Sequence, residues 1–316
     1  MTRIENPNRL GVGVIGMGHV GPVIASALRA AGHSIIGVSA SSEASRERAQ
    51  DMLPNIPILA IPDIVERSEV VILAVPDDAI GPLVRGLAEL QAWHPGQMVV
   101  HLSGAHGISV LEPAARCGAI TLAIHPAMTF TGTSIDVSRL VGTPFAVTAS
   151  MLARPIGHAL VLEMGGEPVD VAEKDRALYH AALTHGANFL TTIALQSVEL
   201  LRLAGIENSG SYVQPLFSAA LDRALREGLS AVSGPIPRAD SGTITTHTRV
   251  LGQAVRAHCD DQENPVISSA RDTYTSMTRH TVQMLHDAGR LSDTAADEIL
   301  AALHEDDLLE GPPELM

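Results

Sequence analysis

The segment VGVIGMGHVGPVIASALRAAGH constrains this chain more than any other stretch. Gly11–Ile15 is a short apolar run that reads as a buried strand, and Val20–Ala31 reads as a helix. Gly16, Gly18 and Gly21 join them in the spacing G-x-G-x-x-G. Each glycine has its own task in such a turn. Gly16 permits the sharp reversal, Gly18 lets a ligand's pyrophosphate approach the backbone, and Gly21 lets helix and strand pack closely. The helix start adds N–H donors and a positive dipole. Gly16, Met17, Gly18, His19, Val20 and Gly21 are therefore the expected phosphate-binding residues of a dinucleotide site.

The rest of the first half keeps the same rhythm. Further strands are expected at Ser34–Val38, Val70–Val75, Met98–Leu102, Ala119–Ile124 and Pro144–Thr148, with a helix at Ile80–Leu90. Strands alternating with helices imply βαβ units and a mainly parallel sheet. Beyond residue 150 the pattern becomes helical, over 151–164 and, after a short last strand at Glu167–Val171, from Glu173 to Ala204, where Gly205 ends the helix. More helices are expected at 209–228, 242–258, 264–288 and 291–304, followed by a frayed EGPPELM tail. The expected fold is α/β: a doubly wound, mainly parallel Rossmann sheet (residues 1–171), then an all-helical C-terminal domain (172–316) for substrate binding and dimerisation.

Composition removes several function classes. The net charge of −14 and the lack of a basic cluster speak against nucleic acid. No apolar run reaches the length of a membrane span, and the N-terminus has no secretory pattern, so a cytoplasmic protein is expected. Cys117 and Cys259 suggest no disulfide framework, and no metal-ligand spacing occurs. G-x-S-x-G is also absent. Alanine- and leucine-rich helices in a two-domain chain suggest a homodimer.

Cofactor choice is read at the end of the second strand. NAD enzymes usually place a carboxylate there for the ribose 2′-OH, but this strand runs SIIGVSASS. Ser39, Ser41 and Ser42 suit a 2′-phosphate, as does Arg46 or Arg48, which favours NADP and NADPH over NADH. In VILAVPDDAI, Val75, Pro76 and Asp77 stand at another strand's carboxyl end, where they would line the nicotinamide ribose; Asp77 or Asp78 as a helix cap is the competing reading. HLSGAHG offers the Ser103 hydroxyl and the Gly104 N–H to a substrate carboxylate or carbonyl, with His106 a surface residue. In AIHPAMTF, His125 is placed to orient substrate or cofactor, or to be packed and hydrogen-bonded.

Lys174 is the only lysine among 21 Lys and Arg residues. A lysine retained where arginine is otherwise used is a candidate for proton chemistry, because an ammonium gives up its proton more readily than a guanidinium. On one continuous helix, Lys174, Ala181, His185, Asn188 and Thr192 share a stripe. Polar groups aligned in this way are costly to bury, so the stripe faces a wet cleft or an interface. Tyr179 and His180 point elsewhere and read as structural. In SGPIPRADSGTITTHTRVL, Asp240 or Ser241 caps the following helix, Thr243 and His247 share a face, and Arg238 suits a substrate carboxylate.

GMGHVG, AVPDD, HLSGAHG, AIHPAMTF, GTPFAV, the K-x4-YHAA-x5-N stretch and SGPIPRADSGT follow an order that resembles the Rossmann-like NADP-dependent oxidoreductases with a helical C-terminal domain of unassigned function. More distantly the chain is similar to the superfamily of ketopantoate reductase, β-hydroxyacid dehydrogenase, pyrroline-5-carboxylate reductase and prephenate dehydrogenase. The resemblance implies a lysine and an asparagine on the interdomain helix serving the substrate, here Lys174 and Asn188, though their spacing departs from G-x3-K-x3-N. The expected activity is NADPH-dependent hydride transfer to the carbonyl of a small oxo acid, ketopantoate leading. Ser103, Gly104, His125, His185 and Arg238 would bind the substrate. An NADP(H) sensor without turnover and an oxidatively running, prephenate-like dehydrogenase are the alternatives.

Overall fold

The computed structural model describes residues 9–258 and 266–303. It divides into two compact units, Met1–His185 and Gly186–Met316.

The first unit is built on seven strands: β1 (Gly11–Ile15), β2 (Ser34–Ser39), β3 (Val70–Leu73), β4 (Met98–His101), β5 (Ile120–Pro126), β6 (Pro144–Ala149) and β7 (Glu167–Asp170). Their order is β2-β1-β3-β4-β5-β6-β7. Pairing is parallel except between β5 and β6, where Ala123 faces Thr148 and His125 faces Ala146. The central strands are apolar throughout, β3 being VVIL with every residue buried, as a sheet covered on both faces requires. One core gathers Val12, Val14, Ile72, Val100, Leu122 and Phe145. The other gathers Ile15, Leu73, Ile80, Val99 and Leu111.

Seven helices accompany the strands: α1 (Gly21–Ala31), α2 (Glu43–Met52), α3 (Ile61–Arg67), α4 (Asp77–Glu89), α5 (Glu112–Arg116), α6 (Ser134–Arg139) and α7 (Arg154–Glu163). The short α3, α5 and α6 were not foreseen, since five to seven residues carry too little periodicity to read. The strand order turns back at β1, so the ends of β1 and β3 flank the switch point where open α/β sheets bind ligands.

The long helix begins later than expected. Glu173–Asp175 forms a 3₁₀ turn, and α8 runs from Arg176 to Leu203. Glu173 explains the difference, because its carboxylate accepts the N–H groups of Ile108 (2.7 Å) and Ser109 (3.0 Å), pinning the chain to the β4–α5 connection before the helix starts. The first turns of α8 belong to the first unit, anchored by Arg176. That side chain is 1% exposed. Its guanidinium donates to the carbonyls of Ala123 (2.8 Å), Ala146 (3.0 Å) and Ser103 (3.3 Å), while Nε donates to the Thr148 hydroxyl (2.7 Å).

Among the described residues, the second unit holds the rest of α8 and four helices: α9 (Ser209–Glu227), α10 (Ser241–His258), α11 (Ala270–Asp287) and α12 (Asp293–Ala302). Its core is Ile244, Val282, Leu285, Leu291 and Ile299. Cys259, the tail and the outer ends of the helices expected at 264–288 and 291–304 lie outside the described residues.

Replacing Arg176 by leucine strands these buried acceptors without a donor. The Arg176→Leu variant should lose about 3 kcal/mol or more of stability, read as a large drop in melting temperature of the sheet unit; an unchanged melt would show that the guanidinium does not brace it.

Candidate active site

The glycine loop has the geometry its spacing implies. Gly16 sits at φ 106°, in the left-handed region, and a Cβ there would stand 2.3 Å from the Ala74 carbonyl oxygen. A Cβ on Gly21 would meet the Gly16 carbonyl oxygen at 2.0 Å, whereas one on Gly18 would meet nothing within 4 Å. The first and third glycines are thus required by packing, and the second leaves open backbone. No side chain caps the start of α1, so its donors face this open side.

A cavity of about 300 Å³ lies against the loop, lined by Gly16, Met17, Gly18, Ser39, Ser41, Ser42, Arg48, Val75 and Pro76, among others. Arg48 reaches back to it, its Nε donating to the carbonyls of Met17 and Gly18 at 3.2 Å each. Arg46 is exposed and does not itself line the cavity, but it donates to the carbonyl of the lining residue Ser41 at 3.3 Å. Ser42 caps α2: its hydroxyl accepts the Ser45 N–H, and the Ser45 hydroxyl accepts the Ser42 N–H. Asp77 opens α4 after the N-cap residue Pro76 and makes no side-chain cap.

A second brace was not legible in the sequence. Asp136, fully buried, accepts the N–H groups of Thr131 (2.7 Å) and Gly132 (2.9 Å) and the Thr131 hydroxyl (3.0 Å). Burial alone would raise its pKa, but these bonds outweigh burial and hold the carboxyl below the usual range. The loop so fixed touches the glycine loop, where His19 Nδ1 donates to the Thr131 carbonyl at 3.0 Å.

At the carboxyl ends of β4 and β5 a polar cluster assembles in the same unit. His125 Nδ1 lies 2.8 Å from the Tyr179 hydroxyl. The His180 ring meets His125 edge-on at 6.4 Å between centroids. Gly104 is pressed between both imidazoles: a Cβ there would stand 2.8 Å from His180 Cδ2 and 2.9 Å from His125 Nε2. The Arg176 guanidinium carbon lies 5.9 Å from the Tyr179 ring centroid, within cation–π range. Ser103 is turned inward, its hydroxyl accepting the N–H groups of Ala105 and His106 at 3.2 Å each. Behind it, His101 Nε2 donates to the Gly107 carbonyl (2.8 Å) while Nδ1 accepts the Ser103 N–H (3.2 Å), which sets its tautomer.

The imidazoles of His101 and His125 are kept neutral. Burial, with a contribution from Arg176, lowers both His101 and His125 to about 4. Burial raises the Tyr179 phenol, against the pull of Arg176. At neutral pH the pair is therefore a protonated phenol against a neutral imidazole.

Of the expected substrate residues, Ser103, Gly104 and His125 come together. Tyr179 and His180, read as structural, join them, and Arg176 underlies all of them. Residues 176, 179 and 180 share one face of α8, and the bonds of Arg176 to β5 and β6 turn that face toward the sheet. Lys174 stands in the preceding 3₁₀ turn and is exposed; His185, ending the first unit, is exposed. In the second unit, Asn188 on α8 and Arg238 on the turn before α10 are exposed. Asp240 caps α10 through Thr243 N–H at 3.0 Å, and His247 Nδ1 pairs with the Tyr274 hydroxyl at 2.9 Å. Among the described residues no cluster suits a metal ion, and no helix is long and apolar enough to cross a membrane.

The depressed histidines set an acid limit on stability. Both pKa values lie below the unfolded value of about 6.5, so unfolding takes up protons as the pH falls between 6.5 and 4. The contribution of His101, fully buried, is complete above pH 6.5 and shrinks by about 3 kcal/mol toward pH 4. The melting temperature should fall steeply across this window, and His101→Gln should flatten the fall; an equally steep profile in the variant would remove the assignment.

No curated protein sequence matches the chain. Solved structures are similar along most of its length. A candidate NADP oxidoreductase from Bacteroides fragilis has a TM-score of 0.68 at 21% identity, covering 86% of this chain and 98% of its own. An imine reductase from Pseudomonas sp. has a TM-score of 0.60 at 19% identity, covering 94% and 100%. A pyrroline carboxylate reductase from Plasmodium falciparum, solved with NADP bound, has a TM-score of 0.52 at 11% identity, covering 86% and 98%. At these identities the likeness is one of fold. The sequence itself matches the Rossmann-like domain over residues 2–126 and the domain of unknown function DUF2520 over residues 143–281, so the resemblance read from its motifs holds in both halves.

Proposed function

We propose that the protein is an NADPH-dependent reductase of a small oxo acid, with Tyr179 as its proton donor. The observation that carries this reading is the 2.8 Å contact between Tyr179 and His125 on the sheet edge that also bears the glycine-loop cavity. NADPH, when bound, supplies the hydride. The open face at Gly18 and the uncapped start of α1 suit its pyrophosphate. Ser39, Ser41 and Arg48 suit a 2′-phosphate better than a bare ribose, because the end of β2 carries no carboxylate.

The chain's residues then act on the substrate. The Tyr179 hydroxyl gives its proton to the carbonyl oxygen as the adjacent carbon is reduced. His125, neutral above pH 5, presents Nδ1–H to the phenolate oxygen so formed and stabilises it. Arg176 does not reach the substrate; its buried charge favours the phenolate and an anionic substrate over a cationic one. Gly104, with no side chain, keeps both imidazoles close to the reacting edge.

A second reading replaces C=O by C=N, favoured by the imine and pyrroline carboxylate reductases among the similar structures. Lys174 with Asn188, the pair the resemblance implies, is the competing proton-donor assignment.

Absorbance at the NADPH band, with a panel of 2-oxo acids, 3-oxo acids and cyclic imines, decides among these. Turnover on oxo acids should fall by about 10²–10⁴-fold in Tyr179→Phe and change little in Lys174→Ala. The opposite pattern would move the proton donor to Lys174, and tight NADPH binding without turnover on any compound would leave a sensor. Arg48→Ala should weaken NADPH by about tenfold or more relative to NADH; equal losses for both cofactors would refute the 2′-phosphate assignment.

A further inference from the structure

Three features of the first unit meet at the carboxyl ends of β4 and β5 and are not used by Tyr179 and its partner His125. The first is His180. It is half-buried and faces Gly104 with a carbon edge, its Cδ2 standing 2.8 Å from where a Gly104 Cβ would lie. Among the described residues neither of its ring nitrogens has a hydrogen-bond partner, although the nearby His101 and His125 are both bonded. An imidazole carries an N–H donor in either tautomer, and here that donor is open to a ligand.

The second is the backbone of Gly104. The Ser103 hydroxyl accepts the next two N–H groups, those of Ala105 and His106. Among the described residues nothing accepts the N–H of Gly104 itself. Gly104 is buried, and an N–H buried without an acceptor is destabilising until something meets it. The third feature is charge. All four acceptors of Arg176 are neutral, three carbonyls and a hydroxyl. Its positive charge is therefore left over at this edge. Asp77 opposes it, but acts on His101 and His125 more weakly than Arg176 does.

A side-chain donor, a backbone donor and a surplus positive charge are what a carboxylate requires. We propose that His180 and the Gly104 N–H bind the substrate's carboxylate, and that its carbonyl is on the adjacent carbon, so that the substrate is a 2-oxo acid. The spacing supports the second part. Tyr179 and His180 are consecutive on α8, and His125 lies against both, 2.8 Å from the Tyr179 hydroxyl and 6.4 Å from the His180 ring between centroids. A carbonyl oxygen on Tyr179 and a carboxylate on His180 then belong to neighbouring carbons, and an inserted methylene pushes one of them off its donor. The inference rests on the reading of this edge as the reducing site. In that site His180 determines specificity and does not donate the proton.

The probes are 2-oxobutanoate, its isomer 3-oxobutanoate and the uncharged 2-oxobutanamide. Calorimetry on the protein–NADP⁺ complex reads binding without turnover, and NADPH oxidation reads turnover. Wild type should bind 2-oxobutanoate about tenfold or more tightly than the amide, and more tightly than 3-oxobutanoate. His180→Phe keeps a ring against Gly104 but removes the N–H. It should weaken 2-oxobutanoate by about 10- to 100-fold, with KM rising far more than kcat falls, and the preference over the amide should shrink by a similar factor. His180→Gln returns a donor and should recover part of the loss. Melting temperature and NADPH affinity near those of wild type show that each variant is folded. Failure of 2-oxobutanoate to bind wild type, equal losses for acid and amide, a loss confined to kcat, or tighter binding of 3-oxobutanoate would each overturn the proposal. Acid binding lost in His180→Phe, with no turnover in wild type, would refute the reductase reading and keep the carboxylate site. Turnover that collapses in Tyr179→Phe, with acid binding equal in wild type and His180→Phe, would do the reverse.

Discussion

A single buried guanidinium holds the sheet edge on which the proposed chemistry depends. Arg176 carries a charge into an almost fully enclosed place and is repaid by three carbonyl oxygens and one hydroxyl. Its acceptors come from β5, β6 and the segment after β4, so it ties the antiparallel seam of the sheet to the start of α8. It also helps hold His125 and His101 in their neutral forms. One interaction therefore sets the position of Tyr179, three residues further along the helix, and the charge state of its partner. A lysine in its place would bring three donors from one point, without the planar fork that reaches separate strands.

The sequence disclosed the backbone-determined parts best. The glycine motif was legible because each glycine answers a local steric demand: the positive φ of Gly16, the close approach at Gly21 and the open backbone at Gly18 all follow from position in a strand–turn–helix. The strand alternation was legible for the same reason, since β1, β3 and β4 are nearly continuous apolar runs. The polar cluster was not. Which face of α8 meets the sheet is set by the bonds of Arg176 to distant strands, and Lys174 lies before the helix in a 3₁₀ turn fixed by Glu173. The stripe drawn through Lys174 therefore passed over Tyr179 and His180. Nothing in the residue string marked Arg176 as buried or Asp136 as a loop anchor, because both are made by contacts distant in the chain.

The two units differ in how complete they are. The sheet unit closes its core on both faces and satisfies its buried polar groups, with Ser68 Oγ the one buried side-chain atom lacking a partner among the described residues. The helical unit has a small core around Ile244 and Ile299 and, among the described residues, leaves most of α9 exposed.

The most direct test of the central claim is a crystal structure of the protein grown with NADP⁺. The pyrophosphate is expected on Gly18 and the start of α1, with the nicotinamide ring in contact with the His125–Tyr179 pair. A nicotinamide held away from Tyr179, or a glycine-loop cavity that stays empty at saturating NADP⁺, would contradict the assignment of this edge as the reducing site.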